Sequence, residues 1–282
     1  MKCIEEGHGR ISLFELFNVR LAGEAIRYVS FTGPFLGEPS KAALIRNRLP
    51  LVQGMSSLIV EHLTYSLGAA LVTMSGLALL LSNFTLNRSV KVTGFFIGVF
   101  MIGAAVAIQR VIARRRMVLT HLMRRLEQFT GRPWFGKRAE SVQRMEESIH
   151  GFYINRSSTF FLVLMLELTA HFINIVEVYL ILRFIGVEAT LLSAFIVEAM
   201  TKVVNFTFFF VPGQVGVFEG SSALMLEVLG PGAAAGVKLA LMEKIRNLAW
   251  TAYGLVILAL AFRKASPTPP DKADAQREEA AA

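Results

Sequence analysis

The chain has 282 residues, of which 54% are hydrophobic and 18% charged, with a mean hydropathy of +0.51. Soluble domains carry about 25% charged residues, so this balance excludes an ordinary soluble protein and is typical of a polytopic membrane protein. The net charge of +8 is concentrated between long apolar runs, which argues against nucleic-acid binding, and a single cysteine, Cys3, excludes an internal disulfide.

The first part of the chain predicts a broken hairpin and two membrane spans. Residues 1–10 are polar and contain no apolar run of the kind found in a signal peptide. Residues 11–49 form the first broken hairpin. Residues 53–87 and 92–112 each contain an uncharged run, and such a run crosses about 30 Å of hydrocarbon at 1.5 Å per residue.

A basic segment follows at residues 113–156. Counted from Arg110 to Arg156, the sequence has eleven Lys and Arg against four Glu. The positive-inside rule therefore predicts that residues 110–156 are cytoplasmic, where they also rest on anionic headgroups. A dedicated lipid-binding or partner-binding role for them stays open.

The last part of the chain predicts a span, a second broken hairpin and a final span. The span covers residues 157–184, the hairpin 188–230 and the final span 237–262. Residues 263–282 are rich in proline and balanced in charge, which predicts a disordered tail. By alternation across the membrane, the C-terminus is expected in the cytoplasm.

Two places interrupt apolar helix in the same way, each with a proline, glycine and then a glutamate. Proline removes a backbone donor, and glycine adopts dihedral angles that other residues avoid. The segment after each break is too short to cross, so we expect two hairpins that enter the membrane from opposite sides, in inverted repeats. The residues are Pro34, Gly37 and Glu38 in the first half, and Pro212, Gly213, Gly216 and Glu219 in the second.

These two motifs resemble the lysylphosphatidylglycerol synthase transmembrane region, or flippase-like, family. The first is the run LAGEAIRYVSFTGPFLGEPSKAALI from Leu21 to Ile45; the second is PGxxGxxEG from Pro212 to Gly220, followed by a span bearing Arg246. The resemblance covers roughly residues 11–262. It implies an all-α polytopic membrane bundle that translocates lipids, with relatives among lysyl-lipid resistance and hopanoid-associated proteins.

The family pattern also indicates what this chain does not do. Bifunctional members carry a large soluble aminoacyl-transferase domain after the membrane region, and a chain of 282 residues has no room for one. We therefore expect no enzymatic activity. The family usually has a span before the first motif, which this sequence lacks, and relatives often have two glycines where Gly37 stands alone.

Ionisable side chains within the apolar segments form the candidate substrate-binding site. Each costs roughly 2.5–3.5 kcal/mol on insertion scales, so such residues usually face the interior. One interpretation is structural pairing, as between Glu198 and Lys202; the other is binding of a phosphate headgroup by cations and helix N-termini. The full set is Glu24, Arg27, Pro34, Gly37, Glu38, Lys41, Arg46, Glu167, His171, Glu198, Lys202, Pro212, Gly213, Gly216, Glu219 and Arg246.

Three of these residues have further open interpretations. Glu38 and Glu219 either cap the short helices after the breaks or bind a proton or a cationic headgroup. His171 is either a hydrogen-bonded helix contact or a proton relay.

The leading hypothesis is a multi-pass protein of the bacterial inner membrane that binds and translocates a polar-headed lipid. One alternative is an accessory subunit of a lipid-synthesis complex. Another is an intramembrane lipid-modifying enzyme that uses Glu167, His171 and Glu177 as acid–base groups. Expected partners are membrane lipids, with a lipid-synthesis enzyme or a second copy of the chain as further possibilities, and no nucleic acid, metal or other cofactor is expected.

Overall fold

A computed structural model describes residues 11–30, 33–84, 88–113, 117–131, 133–208, 211 and 215–265. Every regular element in these ranges is an α-helix, so the predicted all-α class is confirmed for the described part of the chain. The helices are α1 (Leu13–Val29), α2 (Gly33–Leu44), α3 (Leu51–Asn83), α4 (Arg88–Ala113), α5 (Val118–Thr130), α6 (Pro133–Asn155), α7 (Ser157–Phe184), α8 (Leu191–Thr207), α9 (Val217–Leu229) and α10 (Ala233–Ala265).

Two described helices are long and apolar enough to cross a membrane. They are α3 and α7, and they coincide with the spans predicted at residues 53–87 and 157–184. The spans predicted at 92–112 and 237–262 are helical, as α4 and α10. Neither meets the same combined test of length, hydropathy and low charge within the described residues.

The first helix break precedes its proline. Helix α1 ends at Val29, the Ser30 backbone N–H still donates to the Ile26 carbonyl at 3.0 Å, and α2 begins at Gly33. Pro34 therefore stands in the first turn of α2, where the missing donor and fixed φ are tolerated. The prediction that a new helix begins at Glu38 is wrong, because Glu38 lies inside α2.

The second break is described only on its C-terminal side, since Pro212 and Gly213 lie outside the described residues. Helix α9 begins after Gly216, which has a φ of +82°, a conformation that glycine adopts without strain. The Gly216 N–H donates to Glu219 Oε2 at 2.8 Å. The prediction that Glu219 caps this short helix is confirmed.

The basic segment folds as two packed helices. Glu146 of α6 accepts hydrogen bonds from the first turn of α5, at Leu119 N (2.9 Å) and Thr120 N (3.2 Å). Helix α6 in turn packs on α3 through Ile149 and Phe152 against Val60. Five of the eleven Lys and Arg of residues 110–156 therefore lie on this helical pair, whose packing the sequence pattern did not predict.

Glycines set two close helix crossings. A Cβ placed on Gly76 of α3 would overlap the Ala199 Cβ of α8, and a Cβ on Gly254 of α10 would overlap the Leu21 carbonyl of α1. Small residues permit such close approach between apolar helices. The crossings join α3 to α8 and α10 to α1, so each half of the chain is held to the other.

Substituting Gly76 with alanine is expected to destabilise the fold by about 1–3 kcal/mol, because the new methyl group overpacks the crossing. Adding Ala199→Gly is expected to restore part of the loss by removing the opposing atom. Thermal unfolding of the detergent-solubilised protein measures both. Gly103→Ala is the control, since a Cβ there meets nothing within 4 Å; equal midpoints for Gly76→Ala and the wild type would contradict the crossing.

Candidate functional site

The predicted site residues that the structure describes fall into several clusters. The three main ones are the hairpin cluster (Glu24, Arg27, Glu38, Lys41), the central cluster (Tyr65, His171, Glu198, Lys202) and the α10 cluster (Glu177, Glu243, Arg246). Tyr65 and Glu243 are additions from the structure. Arg46 belongs to none of them; it is exposed in the turn after α2 and makes no ion pair with any described residue.

The hairpin cluster joins α1 to α2 through one buried lysine. Lys41 Nζ donates to Glu24 Oε1 at 2.8 Å and to Glu38 Oε1 at 2.7 Å. Arg27 Nε donates to Glu24 Oε2 at 2.6 Å. The Lys41 side chain is 7% exposed, whereas that of Arg27 is 55% exposed. The four charges cancel, and the arginine remains accessible from one side.

Glycines allow this cluster to form. A Cβ on Gly23 would overlap Lys41 Cγ, and a Cβ on Gly37 would lie 2.9 Å from Arg27 Cβ. The prediction that Gly37 forms part of the helix break is wrong. It lies in the interior of α2, where the absence of a side chain brings α1 and α2 together.

The central cluster is built by three different helices. Lys202 Nζ lies 2.6 Å from Glu198 Oε1, and both side chains are less than a tenth exposed, at 9% and 6%. The ammonium also lies 5.9 Å from the centroid of the Tyr65 ring on α3. The predicted pairing of Glu198 with Lys202 is therefore confirmed.

His171 of α7 completes the central cluster without a hydrogen bond. Its side chain is 1% exposed, and neither ring nitrogen has a hydrogen-bond partner in the described part of the chain. Its ring lies 5.1 Å from that of Tyr65, and Gly68 of α3 packs against its Cδ2 atom. His171 is therefore a buried contact between α7 and α3, made through the Tyr65 ring and Gly68.

The α10 cluster contains one ion pair and one unpaired carboxyl. Arg246 Nη1 contacts Glu177 Oε1 of α7, with both side chains about one-third exposed. Arg246 also donates to Asn247 Oδ1 at 3.2 Å. Glu243, one turn earlier, is buried and forms no hydrogen bond or ion pair with a described residue.

Glu219 has two partners at the second break. Besides capping α9, its Oε1 atom accepts from Lys244 Nζ of α10. Replacing Glu219 with alanine is expected to lower the free energy of unfolding by about 0.5–2 kcal/mol, the usual loss on removing a cap. Glu219→Gln, which keeps an acceptor, is expected to lose less. Thermal unfolding compares the two, and equal losses would indicate that Lys244, rather than the cap, dominates.

The acid–base set that the sequence suggests does not converge. Glu177 is paired with Arg246, His171 packs on Tyr65, and Glu167 lies near the pair that Arg20 and Glu61 make at 3.3 Å. These three side chains share a helix face, yet each lies near a different group of residues. No three His, Cys, Asp or Glu side chains gather to hold a metal among the residues described.

An apolar groove is lined in part by α8, the helix that carries Glu198 and Lys202. It runs between α3, α4 and α8, and its walls include Leu77, Gly94, Ile97, Gly98, Met200 and Val203. Helix α8 contributes Lys202 to the polar cluster and the neighbouring Met200 and Val203 to this groove. One helix thus carries polar and apolar surfaces side by side.

The described residues are helical, with ion pairs gathered among apolar helices, and together with the composition they define a helical membrane protein. Residues 4–262 match the family described as the lysylphosphatidylglycerol synthase TM region, and the chain belongs to that family. The resemblance found in the sequence is therefore confirmed, and it links the chain to lipid handling. No curated protein and no solved structure matches the chain.

Proposed function

We propose that this protein binds a polar-headed lipid and translocates it across the bacterial inner membrane. The observation that carries the proposal is the hairpin cluster, in which the buried Lys41 holds two glutamates while the accessible Arg27 shares one of them. In such a charge-balanced site, a headgroup phosphate replaces Glu24 as the partner of Arg27, so one ion pair is exchanged for another.

The chemistry of the clusters suits a phospholipid. Arginine binds phosphate through parallel N–H donors, and both Arg27 and Arg246 keep more than a third of their side chains exposed. The glutamates that they release, Glu24 and Glu177, can bind a cationic group on the same headgroup. The groove beside α8 supplies an apolar surface for an acyl chain.

Helix lengths and packing support two inverted repeats. Helices α1, α2 and α3 have 17, 12 and 33 residues, and α8, α9 and α10 have 17, 13 and 33. The packing of α1 on α10 has its counterpart in that of α3 on α8. If a two-fold axis relates α1 to α8 and α3 to α10, it maps the contact between α1 and α10 onto the contact between α8 and α3.

In this arrangement, each hairpin enters the membrane and returns. Helix α2 has 12 residues, a length of about 18 Å at 1.5 Å per residue, and falls short of the roughly 30 Å hydrocarbon core. With residues 110–156 and the C-terminus in the cytoplasm, the first hairpin enters from inside and the second from outside. The headgroup path then runs between α1, α2, α7 and α10.

Photolabelling tests whether lipid headgroups enter the bundle. The purified protein in liposomes is exposed to a phospholipid with a photoactivatable group on its headgroup, or to a matched analogue with that group at the end of an acyl chain. We expect the headgroup probe to label peptides of α2 and the first half of α10. The acyl probe should label the exposed face of α7, where Phe161 and Leu166 are 59% and 61% exposed.

The labelling pattern decides between a headgroup path and ordinary annular lipid. Arg246→Gln should reduce labelling by the headgroup probe on α10 and leave labelling by the acyl probe unchanged. If both probes label the same outward apolar positions and neither reaches α2 or α10, headgroups do not enter the bundle and the proposal is wrong.

A further inference from the structure

Glu243 is a buried carboxyl without a partner in the middle of the charged part of α10. It is 7% exposed and forms no hydrogen bond or ion pair with any residue in the described ranges. The charges that act on it most strongly come from its own helix, from α7 and from α8: Arg246, Glu177, Glu198 and Lys202.

The remaining charged groups on α9 and α1, which also pack against α10, already have partners. On α9, Glu219 is paired with Lys244, and Glu227 accepts from Ala233 N. On α1 the pairs are Glu15 with Arg48, Arg20 with Glu61, and Glu24 with Arg27 and Lys41. These helices therefore offer no spare cation to Glu243.

The local charge balance favours a neutral Glu243. Arg246 is paired with Glu177 and Lys202 with Glu198, so these four charges already sum to zero. An ionised Glu243 would add one uncompensated negative charge to a buried site. A buried acid in this position takes up a proton, because an unpaired charge is far more costly to bury than a neutral carboxyl.

We propose that Glu243 is a proton-binding site inside the bundle and that loss of its proton transfers Arg246 from Glu177 to Glu243. Glu243 and Arg246 stand three residues apart on one helix, within reach of each other. Ionised Glu243 competes for the guanidinium, and Glu177 of α7 is then released. The proton passes to bulk water, so the step needs no other reactant.

This exchange acts between α7 and α10, which the Glu177–Arg246 pair connects. Breaking the pair frees a carboxylate and loosens the contact between the two helices. The consequence for lipid movement rests on the proposed function, whereas the proton site itself does not.

Infrared spectroscopy tests the proton site without any lipid substrate. Spectra of the purified protein are recorded at a series of pH values, and the carbonyl stretch of protonated carboxyl groups is compared between variants. Near neutral pH, where ordinary carboxyls are ionised, we expect the wild type to show a band that disappears as the pH rises further and that Glu243→Gln lacks. Glu188→Gln, which alters an exposed carboxyl between α7 and α8, should retain the band.

Carbodiimide labelling tests the same site in the unmodified protein. A hydrophobic carbodiimide reacts with protonated carboxyls in apolar surroundings, and mass spectrometry of the peptides identifies the labelled residue. Glu243 is expected to react at neutral pH, whereas Glu177 and Glu198, which are held by cations, should stay unlabelled. Identical infrared spectra for the wild type and Glu243→Gln, or reaction at the paired glutamates in preference to Glu243, would overturn the proposal.

The two proposals fail in distinguishable ways. If the band is present but liposomes with the protein move no lipid, the proton site stands and the lipid-translocating function is wrong. If lipid moves at the same rate at every pH and the band is absent, the translocating function stands and the proton site is wrong.

Discussion

Replacing Lys202 with methionine is expected to destabilise the protein by about 3–5 kcal/mol, a larger loss than we expect from Gly76→Ala or Glu219→Ala. Lys202 and Glu198 form a buried pair on α8, and removing one partner leaves the other charge buried and uncompensated. Methionine has a similar volume and fills the space of the lysine stem. The unfolding midpoint of the solubilised protein in a thermal or denaturant titration measures the loss.

The double variant separates the effect of charge from that of packing. Adding Glu198→Gln to Lys202→Met removes the orphaned charge, and most of the lost stability is expected to return. Lys238→Met, at an exposed position of the same bundle, serves as the matched control and is expected to leave the midpoint within about 0.5 kcal/mol of the wild type. A double variant less stable than Lys202→Met would contradict the assignment of the loss to an unpaired carboxylate.

A large effect on lipid movement is expected from replacing Arg246. Arg246→Gln is expected to slow transbilayer movement of a headgroup-labelled phospholipid by roughly 10- to 100-fold. A hydrogen bond to a charged group contributes about 1.5–3 kcal/mol, and each 1.4 kcal/mol corresponds to about tenfold. The measurement is the initial rate at which an external quencher reaches label from the inner leaflet of liposomes.

Conservative variants assign this loss to the guanidinium. Arg246→Lys keeps the charge but loses the planar pair of donors, so we expect an intermediate rate. Lys238→Gln removes an exposed cation from the same helix and should move lipid at the wild-type rate. If Arg246→Gln and Lys238→Gln slow movement equally, the effect comes from net charge rather than from a binding role of Arg246.

The sequence predicted the helices well wherever hydrophobicity and length act together. The span predicted at residues 157–184 matches α7. The end of the span predicted at 53–87 lies a few residues after the last residue of α3. These segments are uniform in composition, and helix is the conformation that satisfies their backbone groups in apolar surroundings. The all-α class followed from the same signals, whereas the family resemblance rested on the two proline- and glycine-containing motifs.

The start of α2 shows where local rules compete. A proline followed by glycine and glutamate predicted a break through Glu38. Because proline is also favoured in the first turn of a helix, α2 instead begins at Gly33 and includes Pro34, Gly37 and Glu38. The motif therefore contains two competing signals, one for a helix break and one for a helix start. The structure shows the helix start, together with a close contact between Gly37 and Arg27 that no local pattern encodes.

The candidate site could be predicted in its residue types but only partly in its pairings. Helical periodicity placed Glu198 and Lys202 on one face, and the structure pairs them. Periodicity gives no information about the facing helix. The contacts of Lys41 with Glu24 and of Arg246 with Glu177 join positions 17 and 69 residues apart and depend on how the helices cross.

Two residues of the site had no decisive signal in the sequence. Tyr65 is a single aromatic residue in an apolar helix, and its ring contacts with His171 and Lys202 depend on three helices meeting. Glu243 was visible as one of several charges at the start of the last span. Its lack of a partner becomes evident only when the pairs around it are known.

Lipid translocation is measured directly as the rate at which headgroup-labelled phospholipid crosses the bilayer of liposomes that contain the purified protein, compared with protein-free liposomes for several lipid classes. We expect acceleration for at least one phospholipid class and loss of that acceleration in Arg246→Gln. No acceleration by the wild type for any class would contradict lipid translocation and would favour the role of an accessory subunit in a lipid-synthesis complex.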